Sequence, residues 1–422
     1  MIRRYLSNDY TRNLATLVSA TVVAQVVNVA FNWVLARYFY HPDQFGALSV
    51  FTSLVSFITI ISCAKFDVAL VAAKTEEDAS RLFSLGFLVL FIVTALGFVA
   101  YGLNLLPALH LYGGTAVFTW LWAAPVSAFL LTATQLMWMI NVRDKKFRGI
   151  SWVRIIETSA NGFFSLVFFS LGTIGLLYGS LLSQLSSVLF LAWVVLKHNR
   201  LKSFFHPPAV LRDVARRFAD FPRINILQGF FDIFQVSSVV IYIGKYFGEA
   251  AAGYYGQCMR ILQIPMRLII LPVSHVFFAE ASEIFRNNGD LFSLVKRTAY
   301  RTALFAAPVP LVLLAVGPWL FAFVFGAQWK EAGVYAQLLA PWIFFDLIRA
   351  PLVQVSSLLG KQRQVLLVTM AGNIILALLY VAGRHYSLSA RWMLAGISVS
   401  QSIIAVILVF LIFRMSKVFS TR

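Results

Sequence analysis

The chain predicts an all-α, multi-pass membrane protein of about twelve transmembrane helices in two six-helix lobes. Three observations carry that prediction. The first is composition: of 422 residues, 60% are hydrophobic and 12% charged, about half the charged share of a soluble domain. The second is a succession of apolar runs about 20 residues long, the length a helix needs to cross the hydrocarbon layer. The third is a short polar motif that returns half a chain later. "ARYFYHPDQFGALSVF" fills Ala36–Phe51 and "GKYFGEAAAGYYGQCMRI" fills Gly244–Ile261.

In chain order, spans are expected at 14–36, 44–64, 80–103, 115–140, 150–170, 173–196, 219–243, 253–279, 298–319, 333–358, 364–383 and 392–413. The opening residues "MIRRYLSNDYTRN" are basic. The apolar run behind them is long enough to be an uncleaved first span rather than a signal peptide. The net charge of +18 would suggest nucleic acid in a soluble protein. Here the basic residues sort by side, so no nucleic-acid partner is expected. With both termini in the cytoplasm, 25 of the 35 Lys and Arg fall in inner segments and five (Arg37, Lys245, Lys330, Arg384, Arg391) in outer ones. That asymmetry is the positive-inside pattern. The remaining five, Arg154, Arg223, Arg260, Arg267 and Arg349, lie inside spans.

The longest inner segment, Lys197–Ala219, divides residues 1–205 from 206–422, six spans each. Its "HPPAVLRDVARRF" reads as a connector at headgroup level whose arginines face anionic membrane lipids, with a partner-binding site as the alternative. The two motifs lie 207 to 208 residues apart. Each joins the first and second spans of its half. An even number of spans per half makes the repeats parallel. A weaker echo, "VFGAQWKEAG", runs from Val324 to Gly333.

Polar side chains in a span are costly against lipid and face protein or water. In the first span Thr21, Gln25, Asn28 and Asn32 fall within about 60° of arc. In the seventh, Asn225, Gln228, Asp232 and Gln235 fall within about 80°. The second carries Ser49, Thr52, Ser56 and Thr59, and the eighth Arg260, Gln263 and Arg267, with Gln257 and His275 at the edge. Helix–helix hydrogen bonding explains the hydroxyl stripe. The charged faces instead suggest a water-filled path between the lobes. Arg260 and Arg267 lie roughly 10 Å apart along one face. Arginine holds phosphate bidentately, which favours an anionic cargo. Pro265 and Pro272 would let that helix bend.

Arg154 with Glu157, and Asp346 with Arg349 between Pro341 and Pro351, are spaced to pair within their own helices. Cys63 and Cys258 read as isolated buried thiols. No phosphate-cradling Gly loop and no Cys/His cluster with metal spacing stands in the sequence, so neither catalysis nor a cofactor is expected. Any coupling ion, proton or sodium, stays open.

"LARYFYHPDQFGALSVFTSLVSFITI" resembles the first-loop signature of Wzx-type polysaccharide flippases, with Arg37, Pro42, Asp43, Phe45 and Gly46 in the matching places. "GEAAAGYYGQCMRILQIPMRLIILPVSHVFFAEAS" is similar to their eighth-span region, matched by Gly253, Tyr254, Arg260 and Pro265. "VFGAQWKEAGVYAQLLAP" resembles their ninth-to-tenth-span loop. The resemblance covers essentially the whole chain. It implies the multidrug/oligosaccharidyl-lipid/polysaccharide exporter superfamily, with two six-helix lobes in a V shape. The implied cargo is an oligosaccharide on undecaprenyl diphosphate, moved across the bacterial inner membrane by alternating access. A polysaccharide polymerase and a chain-length regulator are the implied protein partners. Arg260 takes the position of a commonly cationic site, whereas the first and second spans leave the N-terminal side polar but neutral. An ion-coupled exporter of small molecules on the same fold is the alternative.

Overall fold

The computed structural model describes residues 8–73, 75–103, 120–144, 146–197, 206–287 and 289–420. The start of the expected fourth span (115–119) and the first part of the connector (198–205) lie outside them. The chain forms two compact units, Met1–Glu249 and Ala250–Arg422, and the described residues contain helices and no strand.

The first unit holds α1 (Asn8–Val34), α2 (Pro42–Ser62), α3 (Phe66–Ala72), α4 (Glu76–Gly102), α5 (Ala123–Arg143), α6 (Phe147–Val167), α7 (Thr173–Lys197), α8 (Pro208–Arg217) and α9 (Asp220–Phe247). The second begins with α10 (Glu249–Pro265), whose first residue belongs to the first unit. It continues through α11 (Leu271–Arg286), α12 (Leu291–Ala306), α13 (Pro308–Phe325), α14 (Lys330–Leu352), α15 (Val355–Leu358), α16 (Gln362–His385) and α17 (Ala390–Ser420). A π turn, Leu35–Phe39, ends α1 and another, Met266–Ile270, joins α10 to α11.

Ten helical segments among the described residues are long and apolar enough to cross a membrane; the protein is a multi-pass membrane protein. The other two expected spans are helical too, as α6 and as α10 with α11. α6 carries Arg154, Glu157 and Asn161, which lower its apolarity, and α10 and α11, of 17 and 16 residues, are each short for a span on their own.

The packing inside each unit follows the repeat. In the first, α2 and α4 pack on α5, α5 packs on α7, and α6 packs on α7. In the second, α11 and α13 pack on α14, α14 packs on α17, and α16 packs on α17. These are the same four pairs of equivalent spans. The α6–α7 seam is close because α7 presents Gly175 and Gly179 four residues apart. A Cβ at either would collide with backbone, at Phe168 and Ser165 respectively. Small residues at this spacing let helices approach in lipid, where association relies on close packing.

In α8, Leu211 and Val214 are buried in the protein core with residues of α3, α4 and α5. Arg217 pairs with Asp78 and His206 meets Ser80 at 3.3 Å, which ties this segment to α4. Arg212 and Arg216 remain exposed.

Candidate functional site

The first motif is a joint. Pro42 opens α2 at a position where no intrahelical N–H is required. His41 and Gln44 cap it reciprocally, the His41 N–H donating to Gln44 Oε1 at 2.8 Å. Tyr40 is 1% exposed and donates to the Ser165 carbonyl of α6 at 2.7 Å. Burial pushes its hydroxyl pKa up to about 12. The Arg37 guanidinium lies 5.8 Å from the Tyr38 ring centre, and Gly46 is buried inside α2 rather than at its start. The second motif repeats the cation–ring contact, Lys245 on Tyr246 at 5.2 Å. Its turn is made by Gly248, at φ +90°. Gly253 lies within α10, buried, because the helix starts at Glu249. Asp43 of the first turn acts electrostatically on Glu249 after the second. Burial first, and the Asp43 charge second, raise the Glu249 carboxyl above its ordinary range.

The polar stripes separate into two kinds. On α2 every hydroxyl bonds its own helix: Ser49 to Phe45, Thr52 to Ser49, Ser56 to Thr52 and Thr59 to Ser56, at 2.7–3.0 Å. That is the back-bonding ordinary for Ser and Thr inside helices. On α9, Asn225 likewise donates to the Phe221 carbonyl at 2.9 Å. Gln228 and Asp232 are exposed and Gln235 is half-buried. The Lys65 side chain lies along α9 at Gly229, one turn before Asp232.

On α1, Asn28 is exposed while Thr21, Gln25 and Asn32 are half-buried. The first two spans carry no charge of their own, but a cation from another span reaches this face. Arg154 of α6 donates to Thr21 Oγ1 at 2.7 Å, and its guanidinium lies 4.8 Å from the centre of the Trp138 ring on α5. Glu157 acts on it electrostatically. The cation comes from the fifth span. Periodicity within the first two could not reveal it, because the bond joins helices far apart in sequence.

In the second unit Arg260 is exposed on α10 and Gln263 half-buried. Gln257, 1% exposed, has neither amide atom hydrogen-bonded among the described residues. The backbone at Arg267 lies in the π turn; its side chain is outside the described residues. Pro265 closes α10 and Pro272 stands in the first turn of α11. A proline removes one helical N–H and crowds the preceding turn, so the irregular turn between them has a local cause. Asp346 accepts from Arg349 Nε and Nη2 at 2.8 and 2.6 Å on α14. Both thiols are buried; Cys63 donates to Asp67 Oδ1 at 3.4 Å.

This combination of helical spans, repeated packing and polar groups on membrane helices is that of a membrane transporter fold. Over 96% of its length the chain superimposes on 95% of an inward-facing multidrug resistance MATE family transporter of the MOP superfamily (TM-score 0.75, 13% identity). It superimposes equally over 96% of its length on 90% of the lipid II flippase MurJ (TM-score 0.72, 13% identity). Residues 34–334 match the polysaccharide biosynthesis protein family, and the chain belongs to it. The succinoglycan biosynthesis transport protein ExoT of Rhizobium meliloti is 25% identical over 320 residues. That match takes in 71% of this chain and 59% of ExoT.

Proposed function

We propose that the protein moves an undecaprenyl-diphosphate-linked oligosaccharide across the bacterial inner membrane by alternating access, for surface polysaccharide assembly. The reading has twelve spans, cytoplasmic termini and two repeat halves, 1–205 and 206–422. The observation that carries it is Arg260. It is an exposed cation on α10, in a chain of the polysaccharide biosynthesis family. An arginine in that setting suits an anionic headgroup, because a guanidinium binds phosphate through paired N–H donors. Gln263 and Arg267 on the same segment, Asn225, Gln228, Asp232 and Gln235 on α9, and Gln25, Asn28 and Asn32 on α1 supply further polar contacts. Pro265 and Pro272 give the bend that opens and closes the path. Arg37, Gly46, Gly253 and the Asp346–Arg349 pair hold the helices in register. A polysaccharide polymerase and a chain-length regulator act on the delivered unit.

The competing reading is an ion-coupled exporter of small molecules, favoured by the likeness to a MATE transporter fold. The two part at Arg260. In a strain lacking the gene, Arg260→Ala is expected to leave the protein in the membrane and abolish surface glycan, with Arg260→Lys intermediate. Full restoration by Arg260→Ala would remove the flippase reading.

A further inference from the structure

We propose that the exposed face of α12 is a docking site for an anionic phospholipid of the surrounding bilayer, whose phosphate is taken by Arg297 and Arg301 with Lys296 beside them. The site lies within the second unit, apart from the polar stripes, and asks nothing of the cargo. It uses only the membrane-spanning character of the chain and the cytoplasmic placement of the start of α12.

Charge stops abruptly along the ninth span. α12 and α13 together run over Leu291–Phe325, 35 residues, about 50 Å of helix against roughly 30 Å of hydrocarbon. Lys296, Arg297 and Arg301 fall in its first third, and from Thr302 to Phe325 the sequence holds no charged residue. Trp319 and Phe323, exposed and stacked at 5.2 Å, mark the far interface, where tryptophan is enriched. Trp319 and Tyr300 are about 20 residues apart, one hydrocarbon thickness. Tyr300 and the three cations therefore stand at the near interface, at the depth of lipid phosphates.

One face of α12 carries them. Leu294, Val295, Ala299, Thr302 and Ala306 are buried, and the helix packs on α14 and α17. Lys296, Arg297, Tyr300, Arg301, Leu304 and Phe305 are exposed. Arg297 and Arg301 are one turn apart, so their guanidinium groups can reach one ligand. The apolar pair Leu304 and Phe305 follows one turn deeper. A phospholipid has the same order along the membrane normal, a phosphate and then acyl chains.

The charge on this face is left for an outside partner. Like charges one turn apart repel, and the ion pairs among the described residues include none of the three cations. Asp290, the nearest acid in sequence, is spent on capping α12: it accepts from the Ser293 N–H at 3.0 Å and from the Ser293 hydroxyl. Glu280 and Glu283 of α11 are exposed and make no ion pair among the described residues. The equivalent end of the third span is built the opposite way. α4 opens with Glu76, Glu77 and Asp78. Arg143 lies 3.6 Å from Glu76, Arg81 meets Glu77, Arg217 meets Asp78, and α8 packs on α4. There the protein matches its own charge. On α12 it does not, and a guanidinium binds phosphate through paired N–H donors.

The test titrates the purified full chain with phosphatidylglycerol, phosphatidylethanolamine and phosphatidylcholine of matched acyl chains, and reads bound lipid by native mass spectrometry. Wild type is expected to hold phosphatidylglycerol about tenfold more tightly than the two zwitterionic lipids. Arg297→Gln and Arg301→Gln are each expected to weaken it about fivefold, the scale of one cation beside an anionic surface, and to spare the zwitterionic lipids. Arg297→Lys with Arg301→Lys keeps the charge, loses the forks and is expected to fall between. Lys330→Gln, at an exposed cation elsewhere in the second unit, is expected to change nothing. Equal affinity of wild type for all three lipids overturns the inference, as does unchanged phosphatidylglycerol binding when Arg297→Gln and Arg301→Gln are combined, or an equal loss in Lys330→Gln. Displacement of the lipid by glycerol 3-phosphate, the headgroup without its chains, would make this a site for free phosphate and overturn it too. The readout contains no transport step, so its failure leaves the flippase reading standing, and failure of flipping leaves the lipid site standing.

Discussion

The two motif turns align residue for residue from their cations: Arg37-Tyr38-Phe39-Tyr40 against Lys245-Tyr246-Phe247-Gly248. Both stack the cation on the next ring. At the fourth position they diverge. Tyr40 is buried and bonded to α6, so the first turn is riveted to a neighbouring helix. Gly248 has no side chain to anchor and holds a backbone conformation near φ +90°, ψ 167° that is essentially restricted to glycine. The second turn closes through backbone geometry and leaves the Glu249 Oε1 atom buried without a hydrogen-bond partner among the described residues. A repeated motif thus marks equivalent places in the topology while the two places do different mechanical work.

The largest expected effect follows from the riveted turn. Tyr40→Ala removes a fully buried ring and its hydrogen bond and should cost about 3–5 kcal/mol, read as thermal unfolding in detergent. Tyr246→Ala at the second turn, where the ring is 41% exposed, should cost under about 1 kcal/mol. Equal losses would erase the distinction between the turns. Next comes Gly248→Ala. No atom lies within 4 Å of the added Cβ, so any loss is backbone strain of about 1–3 kcal/mol; an unchanged melting temperature would show that the turn tolerates an L residue.

The smallest effect is pH-dependent. Folding favours the neutral form of Glu249, because burial and Asp43 raise its pKa. Its contribution to stability is complete below the ordinary carboxyl range and is lost as pH rises through the raised value. Glu249→Gln keeps the neutral form throughout. The variant should therefore match wild type near about pH 4 and exceed it in melting temperature near about pH 8. A constant gap across that range would exclude titration of Glu249 as its cause.

The helices were legible because apolar run length is set by the bilayer, and even the two charged segments stood out between their neighbours. The repeat was legible from one motif and its echo. Three features were not. The α2 hydroxyls bond backwards along their own helix, which periodicity cannot tell from a polar face meeting a partner. Arg154 reads from its own helix as the mate of Glu157, yet its hydrogen bond crosses to Thr21, 133 residues away. The π turn at Met266–Ile270 changes register without changing composition; only Pro265 and Pro272 hinted at a break.

The most direct test of the central claim is flipping by the purified chain in proteoliposomes that carry a fluorescent undecaprenyl-diphosphate oligosaccharide on one leaflet. Wild-type protein should expose the glycan to a membrane-impermeant lectin on the other side, and Arg260→Ala should not. Equal exposure by both proteins, or none by wild type with its cognate glycan, would contradict the account.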